Sequence, residues 1–246
     1  MQASETAQDP HNDLVCWFPG DDGLRSRSVG PFVLTGVLEG PAPAPRLLAQ
    51  WQREASEELN LEPGDVEALS LPRARRHWPD YKLCVQAVSA WAGKLGLPGV
   101  LDAGEVALMA CRGARYHHDA AQYGDAAFCN LFLSEDAGLD VHFPLTGQRI
   151  PLVRGTVLLF DTGQPHAVIP RGSSGFDAAE CPYGPEWTQF FLTWELLLED
   201  SPVAAALGIA FDVDPVGCAD AGEPQLRLNG EAIGLCPDSG RWQRAS

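Results

Sequence analysis

From Glu105 to residue 200 the chain is a succession of short apolar runs: EVALMACR, ARYHHD, AAFCNLFL, LDVHF, QRIPLV, GTVLLFD, HAVIP and TQFFLTWELLLE. Gly, Asp and Pro cut most of them apart. Runs of this length between turn residues predict strands, and so many in one stretch predict an all-β sandwich or barrel. Upstream the texture is mixed. LVCWF and PFVLTGVL predict two short strands separated by a Gly/Asp-rich turn. RLLAQWQREASEELNL then places Leu48, Trp51, Ala55 and Leu59 at steps of three or four, the spacing of a helix face. YKLCVQAVSAWAGKLG does the same with Tyr81, Cys84, Val88, Trp91 and Leu95, and LPG closes that helix.

The pattern divides the chain into four parts. Residues 1–13 are polar and predicted to be disordered. Residues 14–104 supply strands and helices that pack on the core, and residues 105–200 form the β core itself. Residues 201–246 are an extension rich in Gly, Pro and Asp, with one strand predicted at LRLNG and little chemistry expected. The fold class expected is mainly β with flanking helices.

Composition narrows the function. Seventeen basic residues against 33 acidic ones give a net charge of −16, which argues against nucleic acid or an anionic membrane as a partner. No apolar run approaches the roughly 20 residues of a membrane span. The first residues, MQASETAQDPHND, lack the basic and apolar regions of a signal peptide. Seven scattered cysteines without a CxxC pair are expected to be reduced thiols, most of them serving as small buried apolar residues. Together these features predict a cytoplasmic protein.

The chemistry concentrates at RYHHD, residues 115–119. Alternate side chains on a strand share a face, so His117 and Asp119 point one way and His118 the other. One His and one carboxylate two apart supply two ligands of a facial metal site. His166, at the start of the later strand in GTVLLFDTGQPHAVIP, is the candidate third ligand. Two imidazoles and a carboxylate leave three positions open on an octahedral ion, as Fe(II) needs if it is to bind a co-substrate and O₂. Asn130, between Phe128 and Phe132 at strand spacing, is a candidate for facing the same interior. His142 is a weaker candidate for the pocket. The loop from Gly172 to Trp187 follows the His166 strand directly and is a candidate lid.

These pieces resemble the double-stranded β-helix (jelly-roll) core of the Fe(II)/2-oxoglutarate-dependent oxygenases, nearest in texture to the prolyl-hydroxylase-like branch. The resemblance runs over roughly residues 105 to 198. It is carried by Tyr116, by His117 with Asp119, by the strands FCNLFLS and LDVHFPLTG, by Gly155 and by His166. It implies Fe(II) held by His117, Asp119 and His166, with 2-oxoglutarate and O₂ as co-substrates. It implies release of succinate and CO₂, usually with hydroxylation of a small-molecule or peptide substrate. That branch also carries an Arg or Lys beyond the distal His, which pairs with the far carboxylate of 2-oxoglutarate. The usual offset falls on Phe176, which leaves Arg171 as the nearest candidate, ahead of Arg115, Arg149 and Arg154. Asn130 is the other residue expected to contact the co-substrate. The same stretch resembles the second cupin motif, with Gly155, Gly163 and His166 in register, although Asp161 and Pro170 replace that motif's proline and asparagine. Two alternatives therefore stay open: a cupin-like metalloenzyme that uses these ligands without 2-oxoglutarate, and a metal-free jelly-roll binding protein.

Overall fold

The computed structural model describes residues 14–40, 42–180, 187–219 and 222–244. Residues 1–13, predicted to be disordered, lie outside this set.

All eight runs between Glu105 and residue 200 are strands: β5 (Glu105–Cys111), β6 (Ala114–His117), β7 (Ala126–Phe132), β8 (Leu139–Phe143), β9 (Gln148–Pro151), β10 (Thr156–Asp161), β11 (His166–Pro170) and β12 (Gln189–Leu197). They are shared between two antiparallel sheets. One has the order β10-β7-β12-β5, and β3 (Leu34–Val37) and β4 (Val66–Leu69) add to its two edges. The other has the order β6-β11-β8-β9. The chain crosses between the sheets in the manner of a jelly roll, so the mainly β double-stranded β-helix architecture is present.

Why these strands read as they do is clear from their two faces. On β10, Val157 and Leu159 pack toward the helices, while Leu158 and Phe160 pack toward the opposite sheet. On β7, Ala127, Cys129 and Leu131 face the helices, and Phe132 with the half-buried Phe128 faces inward. A strand buried on both faces needs apolar residues throughout, hence GTVLLFD rather than an alternating run. Gly155, which leads into β10, has φ +87°, and a Cβ there would meet the Leu38 carbonyl oxygen at 2.2 Å. Only glycine lets β3 and β10 approach this closely.

The helical layer is α1 (Pro45–Arg53), α2 (Leu71–Arg75) and α3 (Tyr81–Lys94). Trp51, Trp78, Trp91 and Trp194 lie in one core with Leu108, Leu192 and Val203. The first predicted helix is shorter than its pattern. It passes at Glu54 into a single π-helical turn, Glu54–Glu58, which shifts the side-chain spacing and leaves Leu59 exposed. Leu95 likewise lies past the end of α3 and is exposed. Strand β4 and helix α2 have no clear signature, because all of Val66, Glu67 and Ala68 are exposed.

A third sheet forms outside the jelly roll. β1 (Leu14–Gly20) and β2 (Gly23–Ser28) are a hairpin. β2, GLRSRS, has no apolar run to mark it and lies in the segment expected to be only a turn. The second expected strand, PFVLTGVL, is the shorter β3 at the edge of the β10-β7-β12-β5 sheet. The expectation of a nearly structureless tail is corrected here. After α5 (Pro202–Leu207) and α6 (Pro215–Ala219), the strands β13 (Gln225–Leu228), β14 (Glu231–Leu235) and β15 (Trp242–Arg244) complete the order β15-β14-β13-β1-β2. The tail is held because Leu226 is buried against Leu14, Cys16 and Phe18, contacts too distant in sequence to show in its composition.

Candidate functional site

His117 ends β6 and His166 begins β11, and the two residues are direct partners in the antiparallel register. Their rings lie 4.3 Å apart. Asp119 follows β6 at the entry to α4 (Ala120–Tyr123). Its Oδ1 is 3.9 Å from His117 Nε2 and its Oδ2 is 3.8 Å from His166 Nε2. Ligand atoms from all three residues fall within 4.8 Å of one another. The pairing of β6 with β11 thus brings together the three residues singled out in the sequence.

The surroundings orient each ligand. His117 Nδ1 lies 2.6 Å from the Arg115 carbonyl oxygen, and His166 Nδ1 lies 3.0 Å from that of Gln164. A carbonyl can only accept, so each ring carries a proton on Nδ1 and turns Nε2 toward Asp119. His166 is buried, with the rings of Phe160 and Phe143 at 4.9 and 6.0 Å. Burial, and secondarily His117, holds its pKa well below the usual 6.5, so it stays neutral and able to ligate. The Asp119 backbone N–H donates to the Thr162 carbonyl at 2.8 Å. The Thr162 hydroxyl lies 2.6 and 2.8 Å from the carbonyl oxygens of Tyr123 and Ala126, fastening the β10–β11 turn to the segment that carries Asp119.

The cluster opens on a cavity of about 420 Å³ enclosed by the two jelly-roll sheets, within the usual size for a small-molecule site. At the end away from the ligands its wall is Cys111, Phe132, Val141, Leu158, Val168 and Phe191. At the ligand end the polar lining residues are Glu105, Glu195 and Tyr123, with Asn130 and Thr193 between the two ends. Among the described residues no Arg or Lys lines the cavity.

The other predicted residues are placed as follows. Asn130 lines the cavity, is only 9% exposed, and its Oδ1 has no hydrogen-bond partner. Arg171 does not reach the cavity. It lies just past the end of β11, and its guanidinium pairs with Asp136 at 2.9 and 3.0 Å and with Asp140 at 2.9 Å. The expectation that it anchors 2-oxoglutarate is therefore corrected: the residue is committed elsewhere. Arg115 pairs with Asp238, Arg149 donates to the Ser173 carbonyl, and Arg154 pairs with Glu135. His142 accepts or donates a 2.6 Å hydrogen bond with the Tyr116 hydroxyl and does not line the cavity. His118 also stays out of the cavity; burial lowers its pKa, and its Nδ1 is buried without a partner. In the candidate lid, residues 181–186 lie outside the described residues. Phe176, in the described part, packs behind the smaller sheet on Tyr116, Ala167 and Ile169.

The sequence reading missed Glu105, Thr193 and Glu195. Alternation along β12 from Phe191 would have placed Thr193 and Glu195 on the inner face. It also missed Arg27, whose buried ion pair with Asp161 at the end of β10 is long-range and left no local signal.

No protein-family model matches this chain, and no curated protein matches it. Solved structures do. A prolyl-4-hydroxylase of Pseudomonas putida is 20% identical, with 67% of this chain and 92% of that one covered and a TM-score of 0.40. SnoN, a non-haem α-ketoglutarate-dependent epimerase of nogalamycin biosynthesis, is 12% identical over 67% and 78% of the two chains, with a TM-score of 0.39. A prolyl hydroxylase of Trichoplax adhaerens, solved with a hypoxia-inducible-factor peptide, is 10% identical over 67% and 83%, with a TM-score of 0.37. At such values they carry no argument, and what the site can do follows from its own side chains.

Proposed function

We propose that this chain is a mononuclear non-haem Fe(II) oxygenase that oxidises a small organic or peptide substrate, with 2-oxoglutarate the co-substrate that its sequence pattern implies. The observation that carries the iron site is the donor set: two imidazoles with their Nε2 atoms turned to one carboxylate, at the mouth of the cavity between the two sheets. His117, Asp119 and His166 would hold the ion on one face. Bound there, iron supplies activation of O₂ for attack on a C–H bond. The protein's part is to fix the ligands through the carbonyls of Arg115 and Gln164, to keep water from His166 with Phe143 and Phe160, and to hold the substrate in the cavity.

For 2-oxoglutarate the fit is incomplete. Three open coordination positions suit its 2-oxo acid end, but its far carboxylate would meet the apolar inner wall of Val141, Val168 and Phe191 with no cation beside it. A buried, unpaired carboxylate is strongly unfavourable. That observation favours a second reading, in which the same iron ligands serve an oxygenase that does not take 2-oxoglutarate.

Anaerobic titration separates the readings. Protein stripped of metal should take up one Fe(II). A visible charge-transfer band on adding 2-oxoglutarate supports the first reading, and bound iron without a band supports the second. Failure to take up metal would sink both and leave a metal-free binding protein.

A further inference from the structure

Among the described residues that line the cavity, the acidic side chains are Asp119, Glu105 and Glu195. Glu105 on β5 and Glu195 on β12 are direct cross-strand partners. Both line the cavity at the end where the metal ligands lie. Two carboxylates side by side repel and gain nothing from each other. Burial, then Asp125 and Glu105, raises the pKa of Glu195. No lysine or arginine among the described lining residues offsets them.

A second observation is independent of the acidic pair. Asn130 projects from β7 into the same cavity, directly across from Thr193, and one same-face step along its strand is Phe128, the cross-strand partner of Glu195. Asn130 is 9% exposed, and its Oδ1 is a buried acceptor with no donor from the protein. Buried acceptors are nearly always paired, and this oxygen is shut off from the cavity as it stands; a half-turn of the amide exchanges it with Nδ2 and lets it meet a donor that enters the cavity. Phe128 and Tyr123 pack edge to face at 5.0 Å beside it and offer aromatic surface, which favours cations.

We propose that the cavity binds a molecule with an apolar body and a protonated amine, its ammonium held between Glu105 and Glu195 with an N–H reaching Asn130, and its body lying against Phe132, Val168 and Phe191. The body takes the wall that the far end of 2-oxoglutarate would need, so this names the substrate class for the iron oxygenase read without 2-oxoglutarate, and rests on that reading only in treating the occupant as a substrate. The three donors of an ammonium match two carboxylates and one amide oxygen in number and sign. An anionic molecule of the same shape would meet two carboxylates and no cation.

Calorimetry with three isosteric probes, phenylbutylamine, phenylbutanol and phenylpentanoate, tests this on the full chain with and without Fe(II), under anaerobic conditions. The amine should bind about tenfold or more tighter than the alcohol, as expected of charge-assisted hydrogen bonds, with the carboxylate weakest. Glu195→Gln and Glu105→Gln, both near-isosteric, should each reduce amine affinity toward that of the alcohol and leave the alcohol unchanged. Equal binding of amine and alcohol, tighter binding of the carboxylate, no binding of any probe, or an amine preference that survives both substitutions would overturn the proposal. Metal uptake is read separately on the same samples. Iron bound without an amine preference would refute only the substrate class. An amine preference in protein that takes up no iron would refute only the oxygenase.

Discussion

Arg27 of β2 and Asp161 at the end of β10 form a wholly buried, two-pronged ion pair, with both N···O distances 2.7 Å. Asp161 also accepts from the backbone N–H groups of Gly30 at 2.6 Å and Gly163 at 2.8 Å, and Arg27 donates to the Gly124 carbonyl. The pair therefore joins the outer sheet to the β10–β11 turn before His166 and to the end of the α4 segment that carries Asp119. Removing one partner leaves the other charge buried and uncompensated. Asp161→Ala should cost about 3–5 kcal/mol in denaturant unfolding. Replacing both by apolar residues, Arg27→Met with Asp161→Leu, should recover much of that loss. The double variant should still bind metal about 10–100-fold more weakly than the parent, as expected when the groups supporting a ligand are lost. Parent-like metal affinity in the refolded double variant would reduce the pair to a structural role.

The turn from β6 into α4 makes a sharp contrast within HHD. His117→Ala removes a ring aimed at Asp119 and should abolish measurable Fe(II) uptake, as should His166→Ala. His118→Ala should retain full uptake, because His118 lies outside the cavity. Metal titration with an Fe(II) chelator competing checks all three. Loss of metal in the His118 variant, with its fold intact by circular dichroism, would mean that the register of β6 and β11 does not define the site.

The strands were legible in the sequence because two-residue periodicity assigns a side chain to a face. The grouping of His117, Asp119 and His166 was also anticipated, but not by the route that produces it: β6 ends at His117, and Asp119 reaches the two histidines from the turn into α4 rather than by strand alternation. The anchor did not follow, because Arg171 was chosen by its distance along the chain, whereas its position is set by Asp136 and Asp140, two acids from another part of the fold. Arg27 was invisible for the complementary reason: its partner is 134 positions away and its burial depends on a sheet that the tail completes. Helix α1 was overextended because a π-helical turn leaves local composition unchanged while shifting every later side chain.

Asn130 offers a test of site character that needs no substrate. Its amide oxygen is desolvated and unpaired, a condition that costs about 1–3 kcal/mol. Asn130→Leu, which keeps the volume and suits a cavity lined by Phe128, Phe132 and Leu158, should leave stability unchanged or raise it by about 1 kcal/mol. The same substitution should weaken phenylbutylamine binding. Urea unfolding and calorimetry on one preparation give both readings. A variant that is both less stable and unchanged in ligand binding would assign Asn130 to the core.

Acidity should act on the cavity through Glu195, whose pKa stands above its ordinary 4.5 because of burial and the nearby charges of Asp125 and Glu105. The groups that face it are Glu105 from β5, Asp125 ahead of β7 and Tyr123 from α4. A carboxylate with a raised pKa takes up its proton sooner as pH falls, and once protonated it no longer attracts an ammonium. A bound amine favours the ionised form, so binding should release protons on the acid side. Phenylbutylamine affinity should accordingly be highest at neutral pH and decline on acidification from above pH 4.5, while phenylbutanol affinity stays level. In Glu195→Gln the decline should be displaced to lower pH. Calorimetry in buffers of differing ionisation enthalpy measures both the affinity and the protons released. An amine affinity that is flat from neutral pH down through the carboxylate range, or a decline that Glu195→Gln leaves in place, would exclude Glu195 as the group that meets the cation.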